Sequence, residues 1–186
     1  MKKMRLVLPF MVLLACSAWA QMANMDHATM NSVLEKGLKQ AEGEFVGAAD
    51  AMPEDKYSFA PTNGEFKGVR TYAQQIKHVA AVNYIVGAAI LGEKSPVDVG
   101  GENGPDSIKT KADVMKFLKD SFTYAHKAMA SVDDKNAVAS MKSPFGSGDT
   151  TRLAMAIVLI SHPFDHYGQM VEYLRMNGIV PPASRK

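Results

Sequence analysis

Apolar residues recur at helical spacing along most of this chain. In the segment 29–52 they alternate steps of four and three, which places them on one stripe of a helix. These residues are Leu34, Leu38, Ala41, Phe45, Ala48 and Met52. Pro53 ends the pattern. A second segment, 71–91, has no internal proline and is followed by Gly92, a common helix stop. The pattern predicts helices over 29–52 and 71–91.

Two further helices are predicted after a long connection. Residues 93–109 are rich in glycine and proline and form a loop of a length that is often functional or mobile. A third helix is predicted over 111–132, behind Thr110 as its N-cap, and a fourth over 151–178, ahead of Pro181. No segment shows a convincing alternation of period two. The sequence therefore predicts an all-α fold, an antiparallel four-helix bundle.

The N-terminus has the composition of a secretory signal peptide. A basic start precedes the apolar run 6–15, and Ala18-Trp19-Ala20 offers small residues before a cleavage site. We expect export across the inner membrane of a bacterium and cleavage after Ala20. The product, residues 21–186, would be one periplasmic or secreted domain. The alternative is a lipoprotein, because Leu13-Leu14-Ala15-Cys16 resembles a lipoprotein box.

Cleavage would leave a nearly neutral chain. Residues 1–20 hold three of the 21 Lys and Arg and none of the 19 Asp and Glu, so 18 basic residues would face 19 acidic ones. We expect no nucleic-acid partner, which would need a clustered basic surface. Beyond the leader no apolar run is long enough to span a bilayer. The partners that remain are an unidentified small molecule and a second copy of the chain, as a homodimer paired through a helix face.

Two histidines in the fourth predicted helix are the best candidates for chemistry. His162 and His166 are four residues apart, so their rings share one helix face. His78 falls inside the apolar arc of the second helix, close to Val82 and Ile85 on a helical wheel. Buried histidines are often core residues with satisfied hydrogen bonds, but three inward rings each need a partner, and one shared metal satisfies them together. Three ligands with one open position are typical of a catalytic or ligand-binding centre.

Further polar residues surround the histidine pair. Asp165 and Gln169 could orient a ring or a bound water from outside the ligand set, and Tyr173 lies on the same inward stripe. Neutral imidazole ligands suit several divalent transition metals, of which zinc and nickel are our first candidates. His126 lies off the apolar stripe of the third helix, and we predict it to be a surface residue.

Pro163 lies between the two histidines and complicates this interpretation. A proline inside a helix removes one backbone hydrogen bond and crowds the carbonyl four residues earlier. One outcome is a kinked but continuous helix. The other is a helix that restarts at Pro163, with Ser161 or His162 near its cap. A restart would weaken the argument from i to i+4 spacing.

A second group of metal-binding side chains lies near the predicted mature N-terminus. Met22, Met25, His27 and Met30 offer thioether and imidazole ligands, which favour copper. The other interpretation is a frayed leader with no ligand role.

Two parts of the chain resemble the DinB-like (damage-inducible) family. The run 162–182 is similar to the terminal helix of that family, and residues 52–61 with Gln75-Ile-Lys-His78 are similar to the entry into its second helix. The resemblance implies an up-down-down-up bundle with a metal held by His78, His162 and His166. Pro163 and Asp165 depart from the commoner family pattern, in which a histidine often precedes the ligand histidine.

The resemblance and the residues together leave two function classes. Related branches include thiol-dependent S-transferases and isomerases, in which the metal activates a low-molecular-weight thiol. The first class is therefore an exported metal-dependent enzyme, a hydrolase or a thiol-dependent transferase of unknown substrate. An exported protein meets little thiol cosubstrate, which counts against the transferase. The second class is a non-catalytic metal- or ligand-binding module of the cell envelope.

Overall fold

Four helices dominate the structure, a computed structural model that describes residues 28–101 and 103–185. The helices are α1 (Met30–Ala51), α2 (Tyr72–Leu91), α3 (Lys111–Ala130) and α4 (Arg152–Met176). Two short strands, β1 (Ser140–Lys142) and β2 (Asp149–Thr151), and the single-turn helices Glu54–Lys56 and Pro182–Ser184 complete it. The predicted all-α bundle is confirmed.

A threonine caps the N-terminus of every one of these four long helices. Each hydroxyl accepts a hydrogen bond from a backbone amide in the first helical turn, which satisfies a donor that would otherwise have no partner. The caps are Thr29, Thr71, Thr110 and Thr151. Gly92 ends α2 in the left-handed conformation, with φ of 69°. The predicted helix limits therefore agree with the structure to within two residues.

The helices form a square in which α1 and α2 lie on one diagonal. Each of these two helices packs against both α3 and α4. Asn31, at the beginning of α1, donates to the carbonyl of Val132, just after α3, so α1 and α3 are antiparallel. Lys127, near the end of α3, pairs with Glu93, just after α2, so α2 and α3 are parallel. Arg152 at the beginning of α4 donates to a carbonyl in the last turn of α2. The helix directions are therefore up, down, down and up.

The hairpin between α3 and α4 corrects the expectation that the chain has no strands. β1 and β2 pair in antiparallel register, with Ser140 opposite Thr151. Strands of three residues are too short to show an alternation of period two, so the pattern could not reveal them. The loop between the strands carries Phe145, whose side chain is 48% exposed.

Helix α4 runs through Pro163 without a break. Of the two outcomes that the sequence left open, the structure shows the continuous helix and not the restart at Pro163. Pro163 has no N–H to donate to the carbonyl of Leu159, so α4 lacks one backbone hydrogen bond in the turn between the two histidines. His162 keeps helical geometry, and its i to i+4 relation to His166 is preserved.

His126 is not a simple surface residue, although it lies apart from the other histidines. Its ring is half-buried between α3 and α1, with Nδ1 2.7 Å from a carboxylate oxygen of Glu35 and Nε2 3.1 Å from one of Glu42. The apolar stripe could not predict this position, because it depends on two carboxylates of another helix. His126 therefore joins two helices of the bundle.

Some sequence expectations lie outside the described residues. These are the leader with its cleavage site after Ala20, the lipoprotein residue Cys16, and the side chains of Met22, Met25 and His27. Met30 is the first residue of α1 and packs against the core. No helix within 28–101 and 103–185 is long and apolar enough to cross a membrane.

Candidate metal centre

Three histidines from two antiparallel helices meet at the interface of α2 and α4, in the N-terminal half of α2. His78 lies on α2, and His162 and His166 lie one turn apart on α4. Nε2 of His162 is 3.2 Å from Nε2 of His78 and 3.1 Å from Nε2 of His166. One nitrogen of each ring lies within 4.8 Å of the other two. The structure thus brings together all three histidines that the sequence singled out.

The spacing of these nitrogens fits a single metal ion. Zinc–imidazole bonds are about 2.0–2.1 Å long, so nitrogens around a tetrahedral ion lie roughly 3.3–3.4 Å apart. An octahedral ion with similar bonds would bring adjacent nitrogens to about 2.9 Å. The two closest gaps here, 3.2 and 3.1 Å, fall between these values. The set can therefore hold a divalent transition metal, and the gaps alone do not select zinc over nickel.

Gln75 orients the ring of His166. The glutamine Oε1 lies 2.6 Å from Nδ1 of His166, and its side chain is buried. An amide oxygen can only accept, so Nδ1 carries the proton and donates it. The lone pair of Nε2 is then directed toward the other two rings, as a metal ligand requires. Sequence reasoning missed Gln75, although its position three residues before His78 places it on the same face of α2.

A chain of side-chain amides holds Gln75 in this orientation. Gln75 Nε2 donates to Gln169 Oε1 at 2.9 Å, so its oxygen faces His166. Gln169 Nε2 in turn reaches Asp165 Oδ2 at 3.4 Å, on the exposed side of α4. The structure thus places Gln169 in contact with Gln75 rather than with a histidine, and Asp165 at the outer end of the chain.

Tyr173 lies two helical turns beyond His166, away from the histidine rings. Its hydroxyl donates to the backbone carbonyl of Arg70 at 3.1 Å, and its ring packs edge-on against Phe59. The tyrosine therefore fixes the segment that leads into α2. Tyr173 is thus linked to the histidine site through Arg70, which lines the cavity beside His78.

Burial keeps the rings of His162 and His166 neutral. Burial, followed by the neighbouring rings of His166 and His78, lowers the pKa of His162 to about 3. Burial, followed by the charge effects of His78 and Arg70, lowers the pKa of His166 to about 4. Nδ1 of His162 is buried and has no hydrogen-bond partner among the described residues. Neutral imidazoles are the form that binds metal, so the site is prepared for an ion at neutral pH.

The metal-free protein is expected to lose stability as the pH falls from about 6.5 toward 4. The unfolded chain protonates His162 and His166 near pH 6.5, whereas the folded chain keeps both rings neutral until about pH 3 and 4. Below pH 6.5 the unfolded state therefore binds more protons, and unfolding becomes more favourable by roughly 1.4 kcal/mol per pH unit for each neutral ring. Urea unfolding at pH 7.5 and 5.0 measures this loss.

The matched control for this pH effect is a variant with His162 and His166 both changed to glutamine. Its loss between the two pH values should be smaller than that of the wild type, because the two depressed groups are gone. Equal losses in the two proteins would contradict the prediction.

A cavity of about 410 Å³ opens beside His78. Most of the residues that line it are apolar or glycine, together with one arginine and one histidine. The lining residues are Arg70, His78, Ala81, Val82, Ile85, Gly100, Gly101 and Phe145. The side of α2 that sequence analysis assigned to the core interior thus faces this space. The volume is in the range of sites for small molecules.

The long loop after α2 forms one wall of this cavity. Lys77, next to His78 in the chain, is buried, and its Nζ donates to the carbonyl of Pro105 at 2.9 Å. A Cβ at Gly104 would lie 2.6 Å from the Cβ of Lys77, so only glycine allows this approach. These contacts place Gly100 and Gly101 opposite α2 and show that the loop has a defined packing against the bundle.

Comparisons with known proteins agree with this architecture. A crystal structure of a DinB-like protein from Bacillus cereus ATCC 10987 has a TM-score of 0.63 and 15% identity, and the match covers 83% of this chain and 96% of that one. A DinB-like protein from Bacillus subtilis has a TM-score of 0.59 and 16% identity, with 78% and 91% covered. No curated protein matches the chain. A family model described as the DinB superfamily matches residues 38–170. The chain therefore belongs to the DinB superfamily.

Proposed function

We propose that this protein is an exported metal-dependent enzyme, a hydrolase with zinc or nickel held by His78, His162 and His166. One observation carries the proposal. Three imidazole nitrogens converge within 4.8 Å of one another beside a cavity of about 410 Å³. An ion on this set would have protein ligands on one side and a space for a substrate on the other.

The residues of the chain have separate tasks in this proposal. A divalent metal in such a site lowers the pKa of a water or thiol that it binds and so supplies a nucleophile near neutral pH. Gln75 keeps the proton of His166 on Nδ1, 2.6 Å from its own oxygen, and so leaves Nε2 available as a ligand. The aliphatic side chains of Val82 and Ile85 exclude water from part of the cavity and position a substrate.

Two alternatives use the same centre. A thiol-dependent transferase fits the histidine set equally well, but the proposed export would separate it from the thiol. A non-catalytic module of the cell envelope is favoured by the cavity walls, which are mainly aliphatic, aromatic or glycine and so suit retention of a ligand. Hydrolysis of an ester substrate distinguishes the hydrolase from both alternatives.

Metal content and turnover test the proposal together. Protein purified without a histidine tag is analysed for metals, loaded with zinc or nickel, and screened against carboxylic and phosphoric esters and against thiol-transfer substrates. We expect about one ion per chain and ester hydrolysis that is lost in His162→Ala. A stoichiometric ion with no turnover in either screen would favour the binding module, and thiol transfer without hydrolysis would favour the transferase.

Export is tested by the N-terminus of the mature protein. We propose cleavage after Ala20, so the mass of the protein from the native host should correspond to a chain that begins at Gln21. A lipid-bearing chain that begins at Cys16 would support the lipoprotein instead. An intact chain that begins at Met1 would contradict cleavage at both sites and would favour a leader that is retained as an anchor.

A further inference from the structure

Gln75 and Gln169 form an amide chain between His166 and Asp165, and each hydrogen bond along it has a direction. Nδ1 of His166 donates to Gln75 Oε1 at 2.6 Å, and Gln75 Nε2 donates to Gln169 Oε1 at 2.9 Å. Gln169 Nε2 donates in turn to Asp165 Oδ2 at 3.4 Å. An amide that turns over exchanges its donor and its acceptor, so the chain has two possible directions.

The direction of the amide chain decides whether Nε2 of His166 can bind a metal. In the direction that the structure shows, Gln75 presents its oxygen to Nδ1, which carries the ring proton and leaves the lone pair of Nε2 free for an ion. In the reverse direction Gln75 would present its NH₂ group, and Nδ1 would have to accept. The proton of the neutral ring would then lie on Nε2 and block that nitrogen. The two directions therefore correspond to a metal-binding and a non-binding tautomer.

The groups next to His166 do not choose between these tautomers. Nε2 of His166 lies 3.1 Å from Nε2 of His162, and an imidazole nitrogen donates or accepts according to its own tautomer. His162 can therefore adapt to either form of its neighbour. Gln75 and Gln169 can adapt as well, because a primary amide offers both an oxygen and an NH₂ group. The choice therefore depends on the outer end of the chain.

The outer end has a fixed polarity, because an ionised carboxylate only accepts hydrogen bonds. In the direction that the structure shows, Asp165 receives an N–H of Gln169. In the reverse direction the oxygen of Gln169 would face the carboxylate oxygen, and two negative atoms would repel each other.

We propose that the carboxylate of Asp165 sets the direction of the amide chain and thereby keeps His166 in its metal-binding tautomer. Asp165 and Gln169 are then positioning residues, which act through Gln75 and do not touch the ion. The inference rests on the proposed function in one respect, because metal binding is what gives this tautomer its use. The tautomer itself is a property of the zinc-free protein.

The position of the His166 ring proton tests this inference. Long-range ¹H–¹⁵N spectra of the zinc-free full chain, labelled with ¹⁵N in histidine, show which ring nitrogen carries the proton at neutral pH. In the wild type it should be Nδ1. The amide of Asp165→Asn can face Gln169 with either end, so this variant should raise the ratio of the Nε2–H form to the Nδ1–H form about fivefold. Both forms of the ring are neutral, so the lost charge alone should change their ratio little.

Two further variants separate the direction of the chain from the loss of a charge. Glu172→Gln makes the same chemical change at another exposed carboxylate of α4 and should leave the ratio unchanged. The double variant Asp165→Asn with Gln169→Glu returns a carboxylate to the chain and has the net charge of the wild type. It should restore the wild-type ratio, because Gln75 Nε2 again faces a group that only accepts.

The outcomes separate this inference from the proposed function. An unchanged ratio in Asp165→Asn, an equal shift in Glu172→Gln, or no recovery in the double variant would overturn the inference. A wild type with the His166 proton mainly on Nε2 would also overturn it, and this result needs no variant. Zinc content is measured independently. A tautomer that depends on Asp165 in a protein without stoichiometric zinc would contradict the proposed function and leave this inference standing.

Discussion

Replacing His162 with alanine is expected to abolish stoichiometric metal binding. Nε2 of His162 is within 3.2 Å of the nitrogens of both other rings, so it is the central member of the set. Its loss leaves two imidazoles on different helices, too few for a stable site with one open position. Elemental analysis after zinc loading and gel filtration should fall from about one ion per chain to nearly none.

His126→Ala provides the matched control for this experiment. It removes one histidine of the same chain, but His126 faces Glu35 and Glu42 on another part of the bundle. The zinc content of this variant should equal that of the wild type. Zinc retained by His162→Ala, or lost from His126→Ala, would place the metal elsewhere. Circular dichroism spectra of both variants check that the helices remain.

The sequence predicted the helices well because each carries local information. An apolar stripe, a threonine before the first turn and a glycine or proline after the last are properties of neighbouring residues, and Thr71 and Gly92 limit α2 as expected. The approach of His78 to His162 and His166 was predictable for the same reason. Each ring lay on the inward stripe of its own helix, and two such stripes must face each other in a bundle.

The parts that the sequence did not predict depend on contacts between distant segments. Gln75 is one polar residue among several on α2, and its role requires the position of His166 on α4. The cavity wall was assigned to the core because a helical wheel distinguishes an inward side chain from an outward one but does not show whether the space beyond it is filled. Phe145 reaches that space through a hairpin whose strands are too short to give a pattern.

Replacing Gln75 with leucine is expected to weaken zinc binding about tenfold to a hundredfold without removing any ligand. Leucine has nearly the same volume but cannot accept the hydrogen bond from Nδ1 of His166, which is 2.6 Å from the Gln75 oxygen. The ring would then lose both its fixed tautomer and its orientation, and partners of metal-bound histidines typically contribute a factor of this size. Competition with a chromophoric chelator measures the zinc affinity of each variant.

Two further variants separate orientation of the ring from general destabilisation. Gln75→Glu keeps an oxygen acceptor for Nδ1, so its zinc affinity should remain close to that of the wild type even if its stability changes. Gln40→Leu makes the same chemical change at an exposed glutamine of α1, which contacts Glu44, and should leave zinc affinity unchanged. If neither Gln75→Leu nor Gln75→Glu weakens zinc binding, the amide only fills space, and equal weakening by both would mean that the acceptor oxygen is not what supports the site. Weakening by leucine alone would mean that the hydrogen bond to His166 supports the metal centre.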